Sequence, residues 1–195
     1  MPNANVIQRF VGANTPAQGA NVIPSITLVT TTEQLFAAQA GGTAIIAPFP
    51  PAQFVGATTA PSFGSGFDGF PFKVRAAFKC TTGGTSTVIM SMYCNQVGTT
   101  ITSGNKVATV TSQSLVTLSA SGFLEYTCIW DSVSLKLNGI QSGAFGTTAV
   151  SAIAGTTTNI AIPALANLNF SMTAANASSV TGTIVTLTEF VIETV

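Results

Sequence analysis

Between Phe72 and Cys80 the chain alternates strictly. Phe72, Val74, Ala76, Phe78 and Cys80 fall on one parity, and Lys73, Arg75, Ala77 and Lys79 on the other. A period of two sends successive side chains to opposite faces of a sheet, so this stretch predicts a strand with one core face and one polar face. The turn Thr81-Thr82-Gly83-Gly84-Thr85 and a return over Thr87 to Tyr93 make it a hairpin. Further strands are predicted at Thr99–Thr102, Val107–Thr111, Gly122–Trp130, Ser134–Asn138, Thr147–Ile153, Leu168–Thr173 and Thr181–Thr194. No helical stripe follows residue 70. Short β-branched strands separated by turns about every 8–12 residues predict an all-β antiparallel sandwich of jelly-roll type over residues 69–195.

Residues 1–68 read differently. Asn14-Thr15-Pro16, Phe49-Pro50-Pro51 and the run Thr59 to Phe70 concentrate proline and glycine, which suit a sheet interior poorly. A short strand over Ile23–Val29 is predicted within them. A short helix over Thr30–Gln39 follows, because Thr30 and Glu33 have capping-box spacing and Gly41-Gly42 supplies a stop. The remainder is expected to be an extended N-terminal arm. It carries Phe10, Phe36, Phe49, Phe54, Phe63 and Phe67. A solvated tail has no use for six phenylalanines, so the arm is expected to lie on an oligomer or shell partner.

Composition narrows the chemistry. Twelve residues of 195 are charged, six of each sign, where an ordinary domain has about 25%. Thirty threonines supply the polarity instead. The chain has no histidine, which rules out a Ser-His-Asp triad, a Cys-His dyad and any imidazole metal site. No cationic surplus exists to displace counterions, so nucleic acid is not an expected partner. No apolar run reaches about 18 residues, so no membrane helix is expected. The opening Met1-Pro2-Asn3-Ala4-Asn5 lacks a signal-peptide pattern, and folding in a reducing host cytoplasm is expected. Cys80, Cys94 and Cys128 are odd in number and form no CxxC pair, so they are read as free, buried thiols rather than a disulfide framework or a metal site.

Individual motifs give little chemistry. Leu124, Tyr126, Cys128 and Trp130 share a strand face and read as core rather than as a sugar-stacking platform. Glu125 and Asp131 lie on the other face, about 20 Å apart at a rise of about 3.3 Å per residue, too far for a paired-carboxylate site. Glu189 and Glu193 are separated by about 13 Å on the same rise. Lys73, Arg75 and Lys79 form the single basic stripe, expected to face solvent or a neighbouring subunit's acids. Gly64-Ser65-Gly66 lacks the lysine and following helix of a phosphate loop. No catalytic residue, metal site or cofactor is expected, and the chain is not read as an enzyme.

Phe72–Tyr93, Leu124–Asp131, Leu135–Gly139 and Leu187-Thr188-Glu189-Phe190 together carry a resemblance. They form a polar strand, a Thr/Gly-rich turn and an apolar strand, then a strand ending in Trp-Asp, a return through Leu-x-Gly, and a closing Leu-Thr-Glu-Phe strand. Over residues 70–195 this resembles the small jelly-roll virion structural proteins of tailed bacteriophages. The resemblance implies a non-enzymatic jelly-roll protein of the virion, made in the host cytoplasm, that either decorates the head or forms part of the tail, with capsid decoration or cementing as the first expectation. Its implied partners are further copies of itself, as a trimer, and the major capsid protein or other virion proteins. The low charge agrees, since strand edges guarded by so few lysines invite association. Two other readings stand beside it. A receptor- or carbohydrate-binding tail module would use loops at Gly98–Asn105 or Gly139–Thr147, with Phe145 as anchor. A self-assembling coat protein would ordinarily have a basic arm, whereas residues 1–68 hold one arginine and two acids.

Overall fold

The computed structural model describes residues 6–11, 24–36, 46–49, 71–82, 84–95, 105–112, 114–115, 119–131, 136–146, 148–158, 168–178 and 182–195. They form twelve strands: β1 (Val6–Val11), β2 (Ser25–Leu28), β3 (Gln34–Leu35), β4 (Ile46–Phe49), β5 (Pro71–Thr81), β6 (Val88–Asn95), β7 (Lys106–Thr111), β8 (Ser119–Asp131), β9 (Lys136–Phe145), β10 (Thr148–Thr158), β11 (Leu168–Asn176) and β12 (Thr183–Thr194). All pairings are antiparallel. The larger sheet runs β1-β12-β5-β8-β9-β10, with β2 also on β12, and the smaller runs β3-β11-β6-β7, with β4 also on β11. This is the expected jelly-roll-like antiparallel sandwich.

The alternation along β5 is realised residue by residue. Phe72, Val74, Ala76, Phe78 and Cys80 are buried, and the residues between them are partly or fully exposed. They pack with Leu124, Tyr126 and Cys128 of β8 and Leu187, Phe190 and Ile192 of β12. The smaller sheet answers with Met90, Met92, Cys94, Phe170 and Met172. Edge-to-face ring pairs fill this core: Phe78 with Phe145 within the larger sheet at 4.9 Å, and Phe72 with Phe170 across the two layers at 6.1 Å between centroids.

Glycines inside strands make room for these rings. A Cβ on Gly122 would lie 2.7 Å from the Phe78 ring, and one on Gly139 would lie 2.5 Å from the Tyr126 ring. The segment Gly139–Thr147, expected to be a loop, therefore belongs to β9 as far as Phe145, and Phe145 is a fully buried core residue rather than an exposed anchor. Gly146, at φ 64°, follows Phe145 as a turn residue, and β10 begins at Thr148.

Residues 1–68 require two corrections. First, no helix forms at Thr30–Phe36. Thr30 Oγ1 accepts from Thr32 N at 3.3 Å in a local turn, and the chain then pairs as β3 against Ala174 and Thr173. Phe36 N donates to Met172 O at 3.1 Å and its ring is buried in the core. Strand pairing and burial outweigh the capping signal. Second, the described parts of this segment are not a free arm. β1 and β2 add to β12, and β3 and β4 add to β11, so the segment supplies strands to both sheets of its own sandwich. The strand expected at Thr99–Thr102 lies outside the described residues.

One interaction ties the sheets at an edge. Gln141 of β9, buried between the layers, accepts a 2.7 Å hydrogen bond from the backbone N–H of Thr109 on β7, the terminal strand of the smaller sheet.

Candidate interaction surface

The outward face of the larger sheet collects at least six of the twelve charged residues: Lys73, Arg75, Lys79, Glu125, Glu189 and Glu193. Register brings Arg75 opposite Glu125 on one side and Val191 on the other, and Lys73 opposite Glu193. Arg75 Nη2 lies 3.1 Å from both oxygens of Glu189 and 3.3 Å from Glu193 Oε1. Lys73 Nζ lies 3.7 Å from Glu193 and 3.9 Å from Glu125. Burial alone would lower the Arg75 pKa, but the Glu189 hydrogen bond and the charges of Glu189, Glu193 and Glu125 outweigh it and raise it. Three carboxylates thus hold two cations in one mesh across β8, β5 and β12. The partly exposed pairs Lys73–Glu125 and Arg75–Glu189 each contribute about 0–1 kcal/mol, whereas Glu193 is buried beneath both cations.

The stripe expected to face solvent or a neighbouring subunit's acids lies on the outward sheet face, where Lys73 and Arg75 pair with acids of their own chain. Lys79 is exposed on the same face. Glu189 and Glu193, four residues apart on β12, are bridged by the single guanidinium of Arg75. Glu125 is also within 3.4 Å of the Ser142 hydroxyl, which donates to it.

Beside the mesh the same face turns apolar. Phe123 and Ile129 of β8 and Ile140 of β9 are 40%, 42% and 47% exposed. Ile140 sits opposite Thr127, one pair away from Ile129, and Phe123 lies on the far side of Glu125. Exposed large apolar side chains clustered on an open sheet face, as Ile129 and Ile140 are here, are the type of surface that binds other proteins. Alternation placed Ile129 on the polar face, but no sequence signal separated it from a buried residue.

The smaller sheet's outward face is built differently. Ser91, Tyr93, Ser171, Thr173 and Ala175 are buried even though they point away from the core. Glu33, at the entry to β3, reaches over this face. Its carboxylate accepts hydrogen bonds from the Tyr93 hydroxyl, from Ser91 Oγ at 3.4 Å and from Lys106 Nζ at 2.8 Å. Lys106 also lies 5.4 Å above the Tyr93 ring. Burial first, and the Glu33 carboxylate second, push the Tyr93 hydroxyl pKa well above its ordinary value. This cluster fastens the segment Pro24–Phe36, which crosses from β12 on one sheet to β11 on the other. Nothing in the sequence linked Glu33 to Tyr93 and Lys106, which are sixty and seventy-three residues away.

Of the phenylalanines expected to anchor on partners, Phe36 is in the core. Phe10 and Phe49 fall in β1 and β4, and Phe54, Phe63 and Phe67 lie outside the described residues. Tyr126 is buried with Leu124 and Cys128, as a core residue. Asn176, in the sequence Asn-Ala-Ser, is buried and accepts from Ser86 Oγ at 3.0 Å. Among the described residues, no group of three His, Cys, Asp or Glu side chains is placed to hold a metal ion.

No protein-family model matches the sequence, and no curated protein matches it. Among solved structures, peanut lectin with a nine-residue peptide (PVIWSSATG) is similar at a TM-score of 0.35 and 10% identity, over 99% of this chain and 89% of the lectin.

Proposed function

We propose that this chain is a non-enzymatic structural protein of a virion, a jelly-roll building block that decorates the capsid head and associates with copies of itself as a trimer. The observation that carries this reading is the open face of the larger sheet. Lys73 and Arg75 are neutralised by the chain's own acids, and Phe123, Ile129 and Ile140 remain bare beside them. Such a face has little charge to hold a mobile, highly hydrated surface apart from its neighbours. A net charge of zero adds no repulsion between copies. Many modest apolar contacts, repeated by copy number, suit reinforcement of a shell through avidity. The resemblance over residues 70–195 points to the phage virion, and the absence of histidine removes the commonest acid–base catalyst near neutral pH.

Immunogold electron microscopy of particles from the source lysate tests the location. Gold spread over the heads is the expected result. Gold at the tail tip would replace decoration by receptor binding, and unlabelled particles with an accessible epitope would overturn the virion reading. Sedimentation of the purified chain at micromolar concentration is expected to show a trimer, and a stable monomer would remove self-association from the proposal.

A further inference from the structure

All three cysteines are free and buried, yet they are not equivalent. Cys80 of β5 pairs with Ala120 and Val185 within the larger sheet. Cys94 and Cys128 stand on opposite sheets in one layer of the core. On the smaller sheet Cys94 is the direct cross-strand neighbour of Phe170. On the larger sheet Cys128 is the direct cross-strand neighbour of Phe72. The Phe72 and Phe170 rings meet edge to face across the sandwich at 6.1 Å. Cys94 and Cys128 thus each stand beside one of two rings that meet across the sandwich, which brings them to the same layer of the core. The charge of one thiolate is felt by the other, adding to the burial that raises the Cys128 pKa. Cys128 is also flanked on β9 by Gly139, which brings no side chain of its own.

We infer that Cys94 and Cys128 are a latent disulfide, a redox staple that joins the two sheets through the core once the protein leaves a reducing environment. Sandwich cores accept such an inter-sheet bridge. The oxidant is a small-molecule disulfide, RSSR. One protein thiolate attacks it, forms a mixed disulfide and releases one RSH. The second protein thiolate then displaces the remaining RS group. The protein dithiol loses two electrons and two protons, and both appear on the two RSH molecules released. Burial raises both thiol pKa values, Cys94 by desolvation and Cys128 by desolvation and by Cys94, so the thiolate is scarce in the closed fold. Exchange therefore proceeds through local opening and is slow in native buffer. The inference does not depend on where the protein sits in a particle.

The test incubates the full-length protein with oxidised glutathione, with and without sub-denaturing urea. Peptide mapping under non-reducing conditions then assigns the bridges. The expected product is monomeric in covalent mass, lighter by about 2 Da, with one Cys94–Cys128 bridge and a free Cys80. Closing this loop is expected to raise the Tm by about 5–10 °C, reversed by dithiothreitol. Cys80→Ala is expected to keep the shift, and Cys94→Ala or Cys128→Ala to abolish it. If those core variants fold poorly, the mapped bridge in the unaltered chain and in Cys80→Ala decides alone. Three free thiols after prolonged oxidation in urea, a bridge involving Cys80, or only intermolecular bridges would overturn the staple.

Discussion

The two outward faces of this sandwich solve the same problem in opposite ways. On the larger sheet, alternation leaves Lys73, Arg75, Glu125 and Glu189 partly exposed and tied to one another through a buried Glu193, with Phe123, Ile129 and Ile140 uncovered. On the smaller sheet, Ser91, Tyr93 and Thr173 are polar in identity but shut away from solvent, and a single carboxylate, Glu33, holds the strap that crosses to them. A chain with few charges can use them either to tile an open surface or to pin a closed one. The larger sheet keeps an exposed apolar strip on its outward face, whereas the smaller sheet's outward face is already covered by its own chain.

The comparison breaks most severely at Phe36. Truncation to alanine removes a fully buried ring where the strap enters the core and is expected to cost about 3–5 kcal/mol in urea denaturation. Hydrogen exchange should rise over β11 and β6 while β5 and β8 keep their protection. A loss spread evenly over both sheets would mean the strap does not belong to the smaller sheet alone.

Alkali should act on the closed side next. The folded state holds the Tyr93 proton more tightly than the unfolded chain does. That contribution is complete below the unfolded tyrosine pKa of about 10 and disappears as pH rises through the higher folded value. Cys80, pushed up to about 11 by burial, acts in the same direction from its lower ordinary value. The Tm is therefore expected to fall steadily above about pH 9, with Tyr93→Phe flattening the steeper part beyond pH 10.

A paired substitution sharpens the contrast. Glu33→Gln weakens three bonds at once and is expected to cost about 1–2 kcal/mol. Glu125→Gln, in the half-exposed mesh, is expected to cost under about 0.5 kcal/mol. Equal losses would show that the two faces are not held differently. Smaller again in stability, Phe123→Asp with Ile140→Asp should leave unfolding within about 0.5 kcal/mol while reducing self-association in sedimentation. An unchanged oligomer would remove this strip from the interface. Lys79→Ala, exposed beside the mesh, should change stability by less than about 0.5 kcal/mol.

How much of this was legible follows from what each residue depends on. The β5 alternation is a local property, and its buried and outward faces emerge as the pattern predicts. The long closing strand and the Gly122–Trp130 strand were readable for the same reason. The Thr30–Glu33 spacing was misleading because a cap is judged locally, while Glu33 finds Tyr93 and Lys106 only after the sheets assemble. The glycines of β9 read as loop because glycine is a poor strand former. In this sandwich Gly139 and Gly143 are instead the space taken by Tyr126 and Leu124 of the neighbouring strand. The apolar strip needed register: Ile129 and Ile140 become neighbours only when β8 and β9 are aligned.

The bond from Thr109 to Gln141 has a consequence for how such a molecule survives at high density. A terminal strand normally offers its free amides as a template on which another chain can lay down the next strand, and that is how sheets grow into fibres. Here one of those amides is already engaged by an uncharged side chain sent across from the opposite layer. A molecule that spends so few lysines on its borders has closed one growth point from within, and crowding copies together therefore favours contact through faces over endless extension through edges.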